Sequence, residues 1–333
     1  MKKFLIILII MVICAFAYYN KIRSEEIIRT KVFTQVKKAD DGYGITYYHM
    51  VGQKNLIPVQ KKANILYIQG SSYGSILKIL KNNFRFFPKI GFEVYAVEKR
   101  GFDSFDTNPV EAYRYSNKET RVHDTLQIIN NINASTHEKL PFVVIAESEG
   151  CDVAAEVCLK VPEITHLILL GGGGGLSQAE EFKVLLSKKG TYLNMKKAED
   201  FDKKFNEIKN STDELALWAG HPYKRWKSYL FDVAAKRLLK LKIPVLSIHG
   251  AEDDSVPVES ARELVKTFEK NDRKNLTYFE LANASHSFKD VQSEKSLITE
   301  VVLKIFEWLK TNKLLTEDDM WMIYKVPVEF KES

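Results

Sequence analysis

Phe142-Val143-Val144-Ile145-Ala146-Glu147-Ser148-Glu149-Gly150 decides how this chain is read. The first four residues form an apolar run of strand type, and a helical pattern starts at Gly150. A serine held between strand and helix by small flanks, here Ala146 and Gly150, is the sequence form of a nucleophile elbow. The turn is tight, so Ser148 must take a strained backbone and its flanks must let strand and helix pass closely. The usual form is G-x-S-x-G, and Ala146 adds one methyl to it. A plain strand-to-helix turn capped by Ser148 is the alternative, and only the downstream residues separate the two.

Those residues arrive in a telling order. After the apolar strand Pro244-Val245-Leu246-Ser247-Ile248 comes His249-Gly250-Ala251-Glu252-Asp253-Asp254-Ser255-Val256-Pro257. Further on, the predicted strand Thr277-Tyr278-Phe279-Glu280-Leu281 runs into Asn283-Ala284-Ser285-His286-Ser287-Phe288. With Ser148, Asp253 and His286 in that order, the chain resembles the α/β-hydrolase superfamily, and within it the serine esterase and prolyl-oligopeptidase-like branch. The resemblance covers roughly residues 30–312, and the H-G-x-x-D-x-x-V-P stretch is its most specific part. It implies Asp253 as the triad acid, with Asp254 as the neighbouring alternative.

The chemistry needs these residue types. A serine hydroxyl is a poor nucleophile at neutral pH and requires an adjacent base. Histidine serves because its reference pKa of about 6.5 lets it take and return a proton near pH 7. A carboxylate then holds the imidazole in the right tautomer and stabilises the imidazolium. His286 is the one histidine in such a pattern; His49, His123, His137, His166, His221 and His249 read as surface, helix or strand-end residues.

Acyl transfer also needs hydrogen-bond donors aimed at the developing oxyanion. The resemblance implies the backbone N–H of Glu149 as one donor, and a second from the loop after the third strand. That loop reads Gln69-Gly70-Ser71-Ser72-Tyr73-Gly74 where many relatives have His-Gly, and it assigns the second donor to Ser71, with Ser72 close behind. The side chains of Glu147 and Glu149 are given no function; acids there complement a helix N-terminus.

Along the rest of the chain, Lys31–Val36 and Ile45–Met50 predict a hairpin across Asp40-Asp41-Gly42. Strands at 65–68, 92–97, 142–146, 167–170, 244–249 and 277–281 then alternate with helical patterns near 75–86, 118–132, 150–160, 258–270 and 296–310. Such alternation predicts a mainly parallel central sheet flanked by helices, with the core at 30–175 and 241–312. Arg100-Gly101-Phe102-Asp103-Ser104 resembles a recurring turn of the superfamily and is read as structural. The run Gly171–Gly175 lacks the ending of a phosphate loop and reads as a flexible strand end.

Residues 176–240 interrupt the alternation and predict a helical lid inserted after strand six. Fourteen Lys and Arg against nine Asp and Glu make it basic. If it screens anionic substrates, Lys224, Arg225 and Lys227 are the candidates; solvated helix faces are the alternative. Trp218, Tyr223, Trp226 and Tyr229 either line an acyl pocket or pack the lid onto the core. Residues 313–333 form an acidic, then apolar, tail without an assigned role.

The N-terminus carries an address. Met1-Lys2-Lys3 precedes an uncharged run from Phe4 to Tyr19. As a helix this run spans about 24 Å, short of a hydrocarbon core of about 30 Å. With Ala15-Phe16-Ala17 as a cleavage site, residues 1–19 predict a signal peptide; an uncleaved anchor over 4–19 is the close alternative. Either predicts an exported, periplasmic or extracellular, catalytic part or a membrane-anchored one. Cys151 and Cys158 lie seven positions apart on one predicted helix, about 10 Å along its axis and too far to bridge. A net charge of +6 is too small to argue for nucleic acid.

These readings converge on a serine hydrolase that cleaves a carboxylic ester through an acyl-enzyme, with no metal and no organic cofactor. The alternatives are a serine peptidase of prolyl-oligopeptidase type acting on a small peptide, and an inactive hydrolase-fold binding protein.

Overall fold

The computed structural model describes residues 30–52, 60–102, 108–136 and 138–325. The signal or anchor segment expected at 1–19, and residues 326–333 of the tail, lie outside the described residues. No helix among the described residues is long and apolar enough to cross a membrane.

Uninterrupted apolar runs become the middle of one sheet. Its strands are β1 (Thr30–Lys38), β2 (Gly44–Gly52), β3 (Ala63–Ile68), β4 (Phe92–Val97), β5 (Phe142–Glu147), β6 (Ile164–Leu170), β9 (Val245–Gly250) and β10 (Leu276–Leu281). Short strands β7 (Leu217–Trp218) and β8 (His221–Pro222) pair separately. The sheet order is β1-β2-β4-β3-β5-β6-β9-β10. Within this sheet the β1–β2 hairpin and the β2–β4 pair are antiparallel, and the other pairings are parallel. All six residues of β3 and of β9 are buried, as a strand covered on both faces requires.

Helices supply that cover. Lys118–Ser135, Gly150–Lys160 and Val258–Lys270 pack Ile128, Ile129, Val153, Val157, Leu264 and Phe268 onto one face. Leu77–Asn83 and Ile298–Thr311 pack Leu80, Ile305, Phe306 and Leu309 onto the other. The tail departs from its reading. Residues 317–325 form a further helix, and Leu315 and Met320 are buried against this second face because the acidic stretch alternates with apolar residues that reach the core.

β3 lies between β4 and β5, so the connections from β3 and from β5 leave toward opposite sides of the sheet. The loops at their carboxyl ends therefore face one another, at the position where open α/β sheets bind ligands.

Between β6 and β9 the chain leaves the sheet. Gln178–Lys189, Ala198–Asn210, Tyr223–Tyr229 and Ala235–Leu238 are helices, and Phe182, Phe201, Phe205 and Trp226 give them an apolar cluster of their own. Ser177 starts the first helix by a capping box: its N–H donates to Glu180 Oε2 at 2.8 Å, and Glu180 N–H returns to Ser177 Oγ. The glycine run before it is constrained, contrary to the flexible strand end expected. A Cβ on Gly175 would lie 2.3 Å from the backbone N of Leu264, so only glycine lets the chain pass helix 258–270 so closely.

Candidate active site

Ser148 sits in the turn between β5 and helix Gly150–Lys160 with φ of 51°. That left-handed conformation costs a non-glycine residue on the order of 1–3 kcal/mol. Its N–H donates to Leu170 O at 2.8 Å, which ties the turn to β6. The small flank has a measurable cause: a Cβ on Gly150 would lie 2.4 Å from Ile68 O. Ala146 is fully buried, and its extra methyl fits.

Asp253 and His286 come to the same place from the ends of β9 and β10. His286 Nε2 lies 3.1 Å from Ser148 Oγ, and His286 Nδ1 lies 2.8 Å from Asp253 Oδ2. The other carboxylate oxygen, Oδ1, accepts from the N–H groups of Ser255 (2.9 Å) and Val256 (2.8 Å). Asp253 is thus fixed from both sides, whereas the side chain of Asp254 is 71% exposed and meets Lys189 instead. Burial disfavours the charged form of His286, but the hydrogen bond and charge of Asp253 outweigh it and raise the imidazole pKa above its ordinary value.

His249, read as a mere strand-end residue, has a definite place. It is wholly buried, with Nε2 2.9 Å from Val256 O and 3.3 Å from Asp253 Oδ2. Burial pushes its pKa down, so it holds the Asp253 loop as a neutral ring.

The loop after β3 passes over Ser148: a Cβ on Gly70 would lie 3.0 Å from Ser148 Cβ and 3.6 Å from its Oγ. Ser71 and Glu149, the two predicted donors, therefore flank the serine from separate segments. Cations fix both segments. Arg121 donates from Nη1 to Glu149 Oε1 at 2.9 Å and from Nη2 to Gln69 O. Arg225, from helix Tyr223–Tyr229, donates from Nε to Glu149 Oε2 at 2.7 Å. Lys99 Nζ donates to Gly70 O at 3.2 Å and to Ser72 O.

Glu149 is not a solvated helix-terminal acid. Burial alone would raise its pKa, but Arg225 and Arg121, aided by Lys99 and His221, drive it down to about 2. The neighbouring Glu147 is half-buried and accepts from Tyr67 Oη at 2.5 Å.

The basic segment also differs from its reading. Arg225 is buried in the pair with Glu149, Lys224 lies 3.8 Å from Glu214, and Lys227 donates to Ser211 O at 2.7 Å. Tyr223, Trp226 and Tyr229 are buried packing residues, and Trp218 meets Phe182, Phe201 and Phe205 edge to face. His221 Nδ1, 3.1 Å from Tyr73 Oη, brings the same segment against the loop beside Ser148. Arg100 carries the turn after β4 through a buried pair with Asp124 and a second bond to Asp41.

Comparison with known proteins fits this geometry. The structure is similar to Est1E from Butyrivibrio proteoclasticus, at 16% identity and a TM-score of 0.59, over 84% of this chain and 98% of that one. It is also similar to the Pyrococcus furiosus esterase Pf2001, at 16% identity and a TM-score of 0.57, over 84% and 91%. The Pyrococcus horikoshii acylaminoacyl peptidase matches 91% of this chain with 43% of its own, at 13% identity and a TM-score of 0.57. These likenesses establish the fold. Comparison with curated protein sequences gives no match. The sequence profile of serine aminopeptidase, S33, matches residues 62–288, which span β3 to His286 and hold all three residues joined at Ser148. The chain belongs to this family of α/β-hydrolases.

Proposed function

We propose that this protein is a serine hydrolase that cleaves carboxylic esters through an acyl-enzyme. The observation that carries the reading is the unbroken relay from Ser148 Oγ through His286 to Asp253, at 3.1 and 2.8 Å, with the serine strained at φ 51°. Ser148 Oγ attacks the acyl carbon while His286 Nε2 takes its proton, and the same nitrogen then gives that proton to the leaving alcohol. Water repeats the sequence and releases the acid. Asp253 holds the imidazole and stabilises its charged form. The N–H groups of Ser71 and Glu149 receive the oxyanion, and the 176–240 insertion acts as a lid over the site. The catalytic part is exported, either cleaved after residue 17 or held by an anchor over 4–19.

Serine peptidase activity is the second reading, favoured by the family's description as serine aminopeptidases. A panel of short acyl esters and aminoacyl amides separates the two: esters turning over and amides not supports the first. The nucleophile is tested by a fluorophosphonate probe. Ser148 should be labelled, and Ser148→Ala should lose the label and on the order of a millionfold in ester turnover. Labelling that persists in the variant, at Ser71 for example, would overturn the assignment.

A further inference from the structure

Lys99 stands out among the cations around Ser148 because, among the described residues, it pairs with no carboxylate. Arg121 and Arg225 share Glu149, and Arg100 has Asp124 and Asp41. The Lys99 ammonium instead turns to two backbone carbonyls, those of Gly70 and Ser72. It also lies 5.4 Å from the ring centroid of Tyr73 and 5.9 Å from that of Phe102. With no carboxylate in hydrogen-bond reach of the ammonium, partial burial disfavours its charge.

The two carbonyls it holds bracket one group. Ser71 lies between them, and its N–H shares a peptide plane with the Gly70 carbonyl. In a trans peptide the C=O and N–H point in opposite directions. Fixing the Gly70 carbonyl against Lys99 therefore fixes the direction of the Ser71 N–H, and the bond to Ser72 O anchors the chain again two peptides further on. Arg121 pins the preceding carbonyl, that of Gln69. Three carbonyls over four residues are thus anchored, on a segment that rests directly on Ser148.

We propose that Lys99 is a positioning residue for the oxyanion hole, aiming the Ser71 N–H by gripping the carbonyls on either side of it. The inference rests on the ester-hydrolase reading above. A group that only stabilised the fold would change melting temperature and nothing else; a group that aims an oxyanion donor changes the transition state and leaves ground-state binding alone.

The pH response gives a separate handle. Burial, reinforced by the positive charge of Arg121 and Arg225 and opposed by Glu149 and Glu98, brings the Lys99 pKa down to about 7. Above that pH the ammonium becomes an amine and its hold on the carbonyls weakens. Activity then rises as His286 loses its proton and declines as Lys99 loses its own.

The test compares wild type, Lys99→Met and Lys99→Arg on one short acyl ester. Active sites are counted by fluorophosphonate titration, and folding is checked by circular dichroism. In Lys99→Met we expect kcat to fall ~10- to 100-fold, less than the 10²–10³-fold lost when an oxyanion donor is removed outright. KM should hold, and an alkyl boronic acid that forms a tetrahedral adduct on Ser148 should bind weaker by a similar factor. Lys99→Arg should recover part of kcat and lose the alkaline decline, because a guanidinium keeps its proton. A folded Lys99→Met with wild-type kcat and wild-type boronate affinity would overturn the proposal. Should Lys99→Met fail to fold, Lys99→Arg decides: a decline above pH 7 that persists in it also overturns the proposal. Failure of wild-type Ser148 to label at all would instead overturn the hydrolase reading beneath it, so the two failures are distinct.

Discussion

Asp253 and Asp254 are chain neighbours with opposite surroundings. The side chain of Asp253 is fully buried, with one oxygen on two backbone N–H groups and the other on His286, while that of Asp254 is mostly in water. Only the first can hold an imidazole in one tautomer. Asp253→Asn should therefore cost about 10⁴-fold in kcat, as in triads where the wrong tautomer results. Asp254→Asn should leave kcat within a small factor. The pH profile adds a signed check. Asp253 raises the His286 pKa, so removing its charge should move the acid limb of kcat/KM to lower pH even as the plateau collapses. Steady-state kinetics from pH 5 to 9 read both effects, and an acid limb that stays in place would mean the carboxylate does not govern the base. This part of the site was legible in the sequence because each member falls inside a short motif at a strand end. The pairing of the Glu149 carboxylate with Arg121 and Arg225, and the place of Lys99, were not. Arg121 is 28 positions from Glu149 and Arg225 is 76, so no local pattern could join them.

Among the elements, strands were easier to read than the helices between them. Continuous apolar runs mark buried parallel strands directly, and β4 occupies the predicted residues. Pro109–Arg114 escaped because a six-residue helix shows no period; Asn108 caps it and Pro109 opens it. In sequence, Lys224, Arg225 and Lys227 read as screening substrates or as solvated helix faces, yet Arg225 docks helix Tyr223–Tyr229 on the core through Glu149. Breaking a buried pair costs about 3–5 kcal/mol when a charge is left alone. Here Arg121 still faces Glu149, so Arg225→Met should cost less, about 2 kcal/mol. Lys227→Met, on an exposed position, and Lys224→Met, half-buried and 3.8 Å from Glu214, should each stay within about 0.5 kcal/mol. Thermal melts rank the three, and limited proteolysis reports whether cleavage within 176–240 rises only in the Arg225 variant. Equal melting of all three would mean that the buried pair does not hold the insertion down.

At the scale of the whole molecule, the sheet separates two cores that serve different ends. One lies under the elbow helix Gly150–Lys160; the other lies on the opposite face and includes the C-terminal helix. The sequence reading closed the core at residue 312, because the acids of the tail masked a short apolar set. Leu315 and Met320, only 4% and 5% exposed, join the cluster of Phe87 and Phe306, and Asp319 lies 3.0 Å from Lys62 just before β3. The helix thus fastens the start of a central strand whose other end leads into the loop over Ser148. Truncating a buried Leu or Met to Ala costs about 2–5 kcal/mol, and a peripheral site relaxes more readily than a central one, so the lower end applies. Leu315→Ala with Met320→Ala should therefore lose about 4 kcal/mol, a large part of the 5–15 kcal/mol that holds a domain folded. Neither residue touches Ser148, His286 or Asp253, so kcat per fluorophosphonate-labelled site at 25 °C should remain that of the wild type while the melting temperature falls well below it. A melting temperature unchanged in the double variant would show that residues 313–325 lie outside the cooperative core. A lowered kcat per labelled site would show that the far face and the loop over Ser148 move together along β3.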